Sequence, residues 1–154
     1  DLLRNVIVQY GHTENNHVGK KGPEYKSGEL SSGGDITSEL KEFGIFFLKV
    51  LADPTTYGYT HSLSKVKLRF TAGNDIHHQV NTPNSKHVKG NGLDFVITSG
   101  NTGNKTLDEM LDLLKEIKNK RYSRLYIKDE YRYPNEGGQR NEYTTGPHVH
   151  VDLR

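Results

Sequence analysis

The distribution of apolar residues predicts an α+β domain, a small antiparallel sheet with two amphipathic helices laid against one of its faces. Three observations carry that expectation. Ile36, Leu40, Phe43, Phe47 and Leu51, and later Leu107, Met110, Leu111, Leu114 and Ile117, recur at the three- and four-residue steps of a helix. Val66, Leu68 and Phe70 alternate with Lys65, Lys67 and Arg69, the period of a strand buried on one side. The last residues alternate again, with His148, His150 and Asp152 on one face and Val149, Val151 and Leu153 on the other.

In chain order, Asn5 to Tyr10 reads as a short strand around the β-branched Val6-Ile7-Val8, and a long polar loop follows at about 11–34. Asp35 is positioned to N-cap the first helix, and Asp53-Pro54 ends it because proline clashes with the turn before it. After the alternating strand, a polar segment from Gly73 to Gly92 is broken by Pro83. The sheet resumes at the apolar run Leu93 to Ile97, with Asp94 embedded in it. Thr106 and Glu109 have the spacing of a capping box for the second helix, and Leu125-Tyr126-Ile127 is a further strand. No repeat or linker divides the chain, and 154 residues suit one domain spanning 1–154.

Composition narrows the function classes. A formal charge of +2 is too weak a bias to indicate nucleic acid, though it is compatible with an anionic polymer such as a cell wall. With Cys 0 there is no disulfide, thiolate nucleophile or cysteine-ligated metal. No run approaches the roughly 18 apolar residues of a membrane helix, so the chain is not expected to span a membrane. The start Asp1-Leu2-Leu3-Arg4 lacks the basic-then-apolar pattern of a signal peptide, and Asp1 in place of Met suits a processed or excised domain.

The chemistry concentrates in two places. If Val149, Val151 and Leu153 face the core, the pleat turns His148, His150 and Asp152 to the other side, residues two apart being roughly 7 Å from each other. Read alone, that is equally an exposed strand face or a set of hydrogen-bonding histidines. The second place is Ser85-Lys86-His87-Val88-Lys89-Gly90-Asn91-Gly92-Leu93-Asp94. A carboxylate inside the apolar run 93–97 needs a cation or several donors to offset its desolvation. Zinc accepts imidazole nitrogen and carboxylate oxygen, whereas calcium and magnesium prefer oxygen-only shells. Two histidines, an aspartate and water make the open tetrahedral arrangement of a catalytic zinc site.

Together, Ser85-x-His87-x-x-Gly90-x-Gly92-x-Asp94 and the terminal His148-x-His150-x-Asp152 resemble the M15 group of D-alanyl-D-alanine and related cell-wall peptidases. That group sits within a wider set holding the lysostaphin-type murein peptidases, and its zinc fold is shared by the Hedgehog signalling domain. Leu68-Arg69-Phe70-Thr71-Ala72-Gly73 resembles the strand and turn ahead of the first histidine. The similarity covers roughly Lys65 to Ala72, Asn81 to Ile97 and Gly146 to Arg154.

The resemblance implies a Zn2+ ion held by His87, Asp94 and His150 in a cleft on the sheet face, with His148 beside the metal-bound water; there His148 is the catalytic candidate to orient the water, stabilise the oxyanion or shuttle the proton. It implies that Ser85, Gly90 and Gly92 shape the loop and that Asp152 orients an imidazole from behind. His77 and His78 fall in the substrate-side loop; His12, His17 and His61 have no partner at a recognisable spacing. Two positions depart from the family. Pro147 stands where many members carry an acidic base three residues before the final histidine, leaving Glu142 as a weaker base candidate. Asn74-Asp75 stands where carboxypeptidase members carry an arginine for the substrate's terminal carboxylate, which favours an endopeptidase.

The implied substrate is the stem or cross-bridge peptide of bacterial peptidoglycan. The implied setting is the cell envelope, the extracellular space or a phage virion, where an endolysin or virion protein could carry the domain as one part. A zinc-stabilised binding or structural domain of the same fold is the non-enzymatic alternative, and Pro147 is its main support. Metal-dependent phosphoester hydrolysis fits less well, since it normally calls for more carboxylates or a second metal.

Overall fold

The computed structural model describes residues 37–72, 84, 86, 90–100, 103–142, 144 and 146–154. The expected strand at 5–10 and the loop at about 11–34 lie outside these residues.

The first helix, α1, is Ser38–Ala52, and its N-cap is Thr37 rather than the expected Asp35. Thr37 is extended, and its hydroxyl oxygen accepts from the Leu40 amide at 3.2 Å, satisfying one of the orphan donors of the first turn. The same residue ties the helix to the sheet: its amide donates to the Gly90 carbonyl at 2.9 Å and its hydroxyl to Asn91 Oδ1 at 2.9 Å. Glu39 in the first turn and Lys49 in the last both suit the helix dipole. At the other end the Asp53 amide closes on Lys49, and Pro54 leads into the short 3-10 turn Thr55–Tyr57.

The second helix, α2, is Asn104–Lys120, preceded by Gly103 as N-cap. The expected capping box does not form. Thr106 lies inside the first turn and is buried, while the Glu109 carboxylate accepts from the amide and hydroxyl of Ser62, 3.0 and 2.6 Å away. Two donors from a distant loop outcompete the reciprocal local bond that the spacing suggested.

Among the described residues four strands make one antiparallel sheet: β1 Lys67–Ala72, β2 Gly92–Ser99, β3 Leu125–Asp129 and β4 Val149–Leu153, in the order β1-β2-β4-β3. The last strand therefore enters between two earlier ones. Leu68 and Phe70, Leu93 and Phe95, Leu125, and Val149, Val151 and Leu153 form the core side of the sheet, joined to both helices in one buried cluster. Phe47 of α1 meets Phe95 at 5.6 Å between ring centroids, and Phe95 meets Phe70 at 6.1 Å. Among the described residues, then, an α+β fold with two helices and a small antiparallel sheet forms. None of its described helices is long and apolar enough to cross a membrane.

Candidate metal centre

Because side chains alternate along a strand, burying Leu93 and Phe95 turns Asp94 away from the core, and burying Val149 and Val151 does the same to His150. Register then decides what they meet. Asp94 of β2 lies directly opposite His150 of β4, and His150 Nδ1 is 2.9 Å from Asp94 Oδ1. The other ring nitrogen, Nε2, donates to Asp152 Oδ2 at 2.7 Å. Asp152 is only 1% exposed, and its second oxygen accepts from Arg154 Nε at 2.9 Å. The Arg154 guanidinium in turn lies 3.7 Å from the centre of the Tyr126 ring.

An imidazole between two carboxylates donates from both nitrogens only as the cation. Burial works against that charge, but the hydrogen bonds to Asp152 and Asp94 outweigh it and push the His150 pKa up to about 9. For Asp152, burial acts upward, yet its bonds to His150 and Arg154 hold it below the ordinary carboxylate value.

His148 sits just before β4, where the ladder with the β3 side continues: the Glu130 amide donates to the His148 carbonyl at 3.0 Å and the His148 amide to the Glu130 carbonyl at 3.3 Å. His148 Nδ1 is 2.8 Å from the Gly146 carbonyl, which can only accept, so Nδ1 carries the hydrogen. Nε2 is left facing Glu130 Oε1 at 3.4 Å and Asp94 Oδ2 at 3.7 Å. Burial disfavours the charged ring, but Glu130 and Asp94 together raise its pKa; burial likewise raises Glu130, and the His148 contact overcomes it to leave Glu130 lowered.

Asp94, His148, His150 and Asp152 are therefore brought together on the face away from the helices. His87, Ser85, His77 and His78 lie outside the described residues. Among the described residues no group of three or more histidine or acidic side chains is placed to hold a metal ion, so the expected zinc cleft is not displayed by them. Imidazole nitrogen and carboxylate oxygen, here 2.9 Å apart, are donors of the kind zinc takes, and His150 would have to release a proton to serve as one. Asp152 behind His150 is the carboxylate–histidine arrangement that fixes a ligand's tautomer. Gly90, ahead of β2, has a positive φ of 77°, which lets the loop turn into the strand that carries Asp94.

Glu142 is exposed, and the carboxylate beside His148 is that of Glu130. Sequence reading passed over Glu130 because the region from Lys120 to Asn141 carries no motif. Parity held the signal: Tyr126, Lys128 and Glu130 share a face, and pairing β3 with β4 sets that face beside His148, His150 and Asp152. His61, previously without a partner, is structural, its Nε2 donating to the Val50 carbonyl and its Nδ1 accepting from the Leu63 amide.

No family model, curated protein or solved structure matches the chain.

Proposed function

We propose that this domain is a zinc-dependent peptidase that hydrolyses peptide bonds in bacterial peptidoglycan, as an endopeptidase rather than a D,D-carboxypeptidase. The observation that carries the reading is the cross-strand pair of Asp94 and His150, backed by Asp152 and flanked by His148. This is the order of groups that the resemblance to cell-wall peptidases implies.

A zinc ion held by His87, Asp94 and His150 would supply Lewis acidity toward the scissile carbonyl and the attacking water. The remaining steps belong to the chain. Asp152 keeps His150 Nε2 protonated and so leaves Nδ1 as the ligating nitrogen. Arg154 offsets the buried charge of Asp152. His148, with Nδ1 committed to Gly146, carries on Nε2, beside Glu130 and Asp94, the position from which a proton passes between the attacking water and the departing amine. The endopeptidase choice rests on Asn74-Asp75 in place of an arginine clamp.

A zinc-stabilised domain without turnover is favoured by one observation, the exposed Pro147 at the position of the family's acidic base. Purified peptidoglycan and a phosphodiester substrate, each incubated with zinc-loaded and chelated protein, separate the readings. Mass spectra should show cross-bridge or internal stem-peptide scission that the chelator abolishes. Release of terminal D-alanine alone reverses the endopeptidase choice, and bound zinc without cleavage favours the non-catalytic domain.

A further inference from the structure

Pro147 stands where the resemblance leads one to expect an acidic residue three positions before His150, yet the fold brings the carboxylate of Glu130, just after β3, beside His148. Glu130 and His148 exchange both backbone hydrogen bonds, at 3.0 and 3.3 Å, which makes them directly opposed residues of an antiparallel ladder with side chains on one face. The Glu130 carboxylate is held at both oxygens. Oε2 accepts from Thr144 Oγ1 at 3.2 Å, and Oε1 faces His148 Nε2 at 3.4 Å.

The neighbours hold Glu130 firmly. Asp129 accepts from the amides of Tyr131 and Arg132, and the Tyr131 hydroxyl accepts from the Ile97 amide at 2.7 Å, fastening the segment after β3 to the edge of β2. The His148 ring thus lies between two groups, the Gly146 carbonyl that accepts from Nδ1 and the Glu130 carboxylate 3.4 Å from Nε2. Both side chains are about 15% exposed, so bulk water does little to screen the pair.

We propose that Glu130 is the positioning residue of His148: its carboxylate, fastened by Thr144 and set directly across the strand pair, fixes where the His148 ring sits beside Asp94. The geometric part stands by itself, and the catalytic consequence rests on the peptidase reading. In that reaction a water O–H bond breaks, its oxygen bonds to the carbonyl carbon, and its proton moves to His148 Nε2. The C–N bond then breaks and the proton passes to the amine. Glu130 gains and loses no atom, which distinguishes it from a base acting directly on water.

The test uses the full chain with Glu130→Gln, Glu130→Asp and the milder Thr144→Ala, which releases the far carboxylate oxygen together with the local bonds of Thr144 to Asn141. Nitrogen-15 spectra of the His148 ring are recorded at one pH in metal-free protein, with zinc content and steady-state rates on the same samples. Glu130→Gln should shift the Nε2 resonance, retain zinc, and lower kcat roughly 10²-fold with KM changed by no more than about twofold. Glu130→Asp should recover part of both effects, and Thr144→Ala should move the resonance less and in the same direction. Unchanged ring resonances in Glu130→Gln overturn the proposal. So does a loss of zinc as complete as in His150→Ala, which would make Glu130 a ligand. If Glu130→Gln fails to fold, an unchanged ring in Thr144→Ala overturns it instead. If the wild-type protein cleaves nothing, the peptidase reading fails, and the ring resonances still decide whether Glu130 positions His148.

Discussion

Replacing Asp152 with asparagine removes a charge while keeping the shape, at a residue only 1% exposed. Asp152 accepts two hydrogen bonds from cationic donors, His150 Nε2 at 2.7 Å and Arg154 Nε at 2.9 Å. The amide of asparagine offers one accepting oxygen, so one of these N–H groups must face another N–H. Hydrogen bonds to charged groups contribute about 1.5–3 kcal/mol each. Losing the better placed one should destabilise the metal-free protein by about 2–3 kcal/mol, or roughly 4–12 °C in Tm for a chain of this size. Zinc affinity should fall about 10- to 100-fold, since His150 loses the group that fixes its tautomer. Thermal unfolding in chelator gives the first number, and competition with a chromophoric chelator gives the second. Arg154→Ala is the control: its side chain is 51% exposed, so its removal should cost much less. A Tm within about 1 °C of wild type together with unchanged zinc affinity would refute the idea that Asp152 holds His150 for a metal.

Two further outcomes follow from the same geometry. His148→Ala should keep near-stoichiometric zinc and lose roughly 10²- to 10⁴-fold in rate, whereas His150→Ala should lose both; equal zinc loss in the two variants would make His148 a ligand. The metal-free protein should also lose stability as pH rises. The folded pKa of His150 is raised to about 9, so its contribution is complete below the unfolded value near 6.5 and disappears as pH climbs through about 9, by at most about 3 kcal/mol. The carboxylates of Asp152 and Glu130 act with the opposite sign, their lowered pKa values withdrawing stability as the solution becomes acidic. Unfolding with and without zinc across pH 6–10 checks this: the zinc-induced rise in Tm should grow over the range in which the metal-free protein weakens, because zinc and the proton compete for one nitrogen.

What the sequence determined alone is the set of elements and the side each residue takes. Both described helices and the four described strands were legible because apolar period is a local property, and Val149, Val151 and Leu153 already assigned His148, His150 and Asp152 to a common face. Asp94 was legible as a buried carboxylate in search of a partner. Details of capping were less secure: Thr37 rather than Asp35 caps α1, and Glu109 serves Ser62 rather than its own helix end, since donors from distant segments compete on equal terms with local ones. The tertiary structure alone decided that β4 enters between β2 and β3, and hence that His150 meets Asp94 on one side while His148 meets Glu130 on the other. Strand order and register arise from pairing residues far apart in the chain, so a carboxylate such as Glu130, with no motif around it, acquires its neighbours only when the sheet closes.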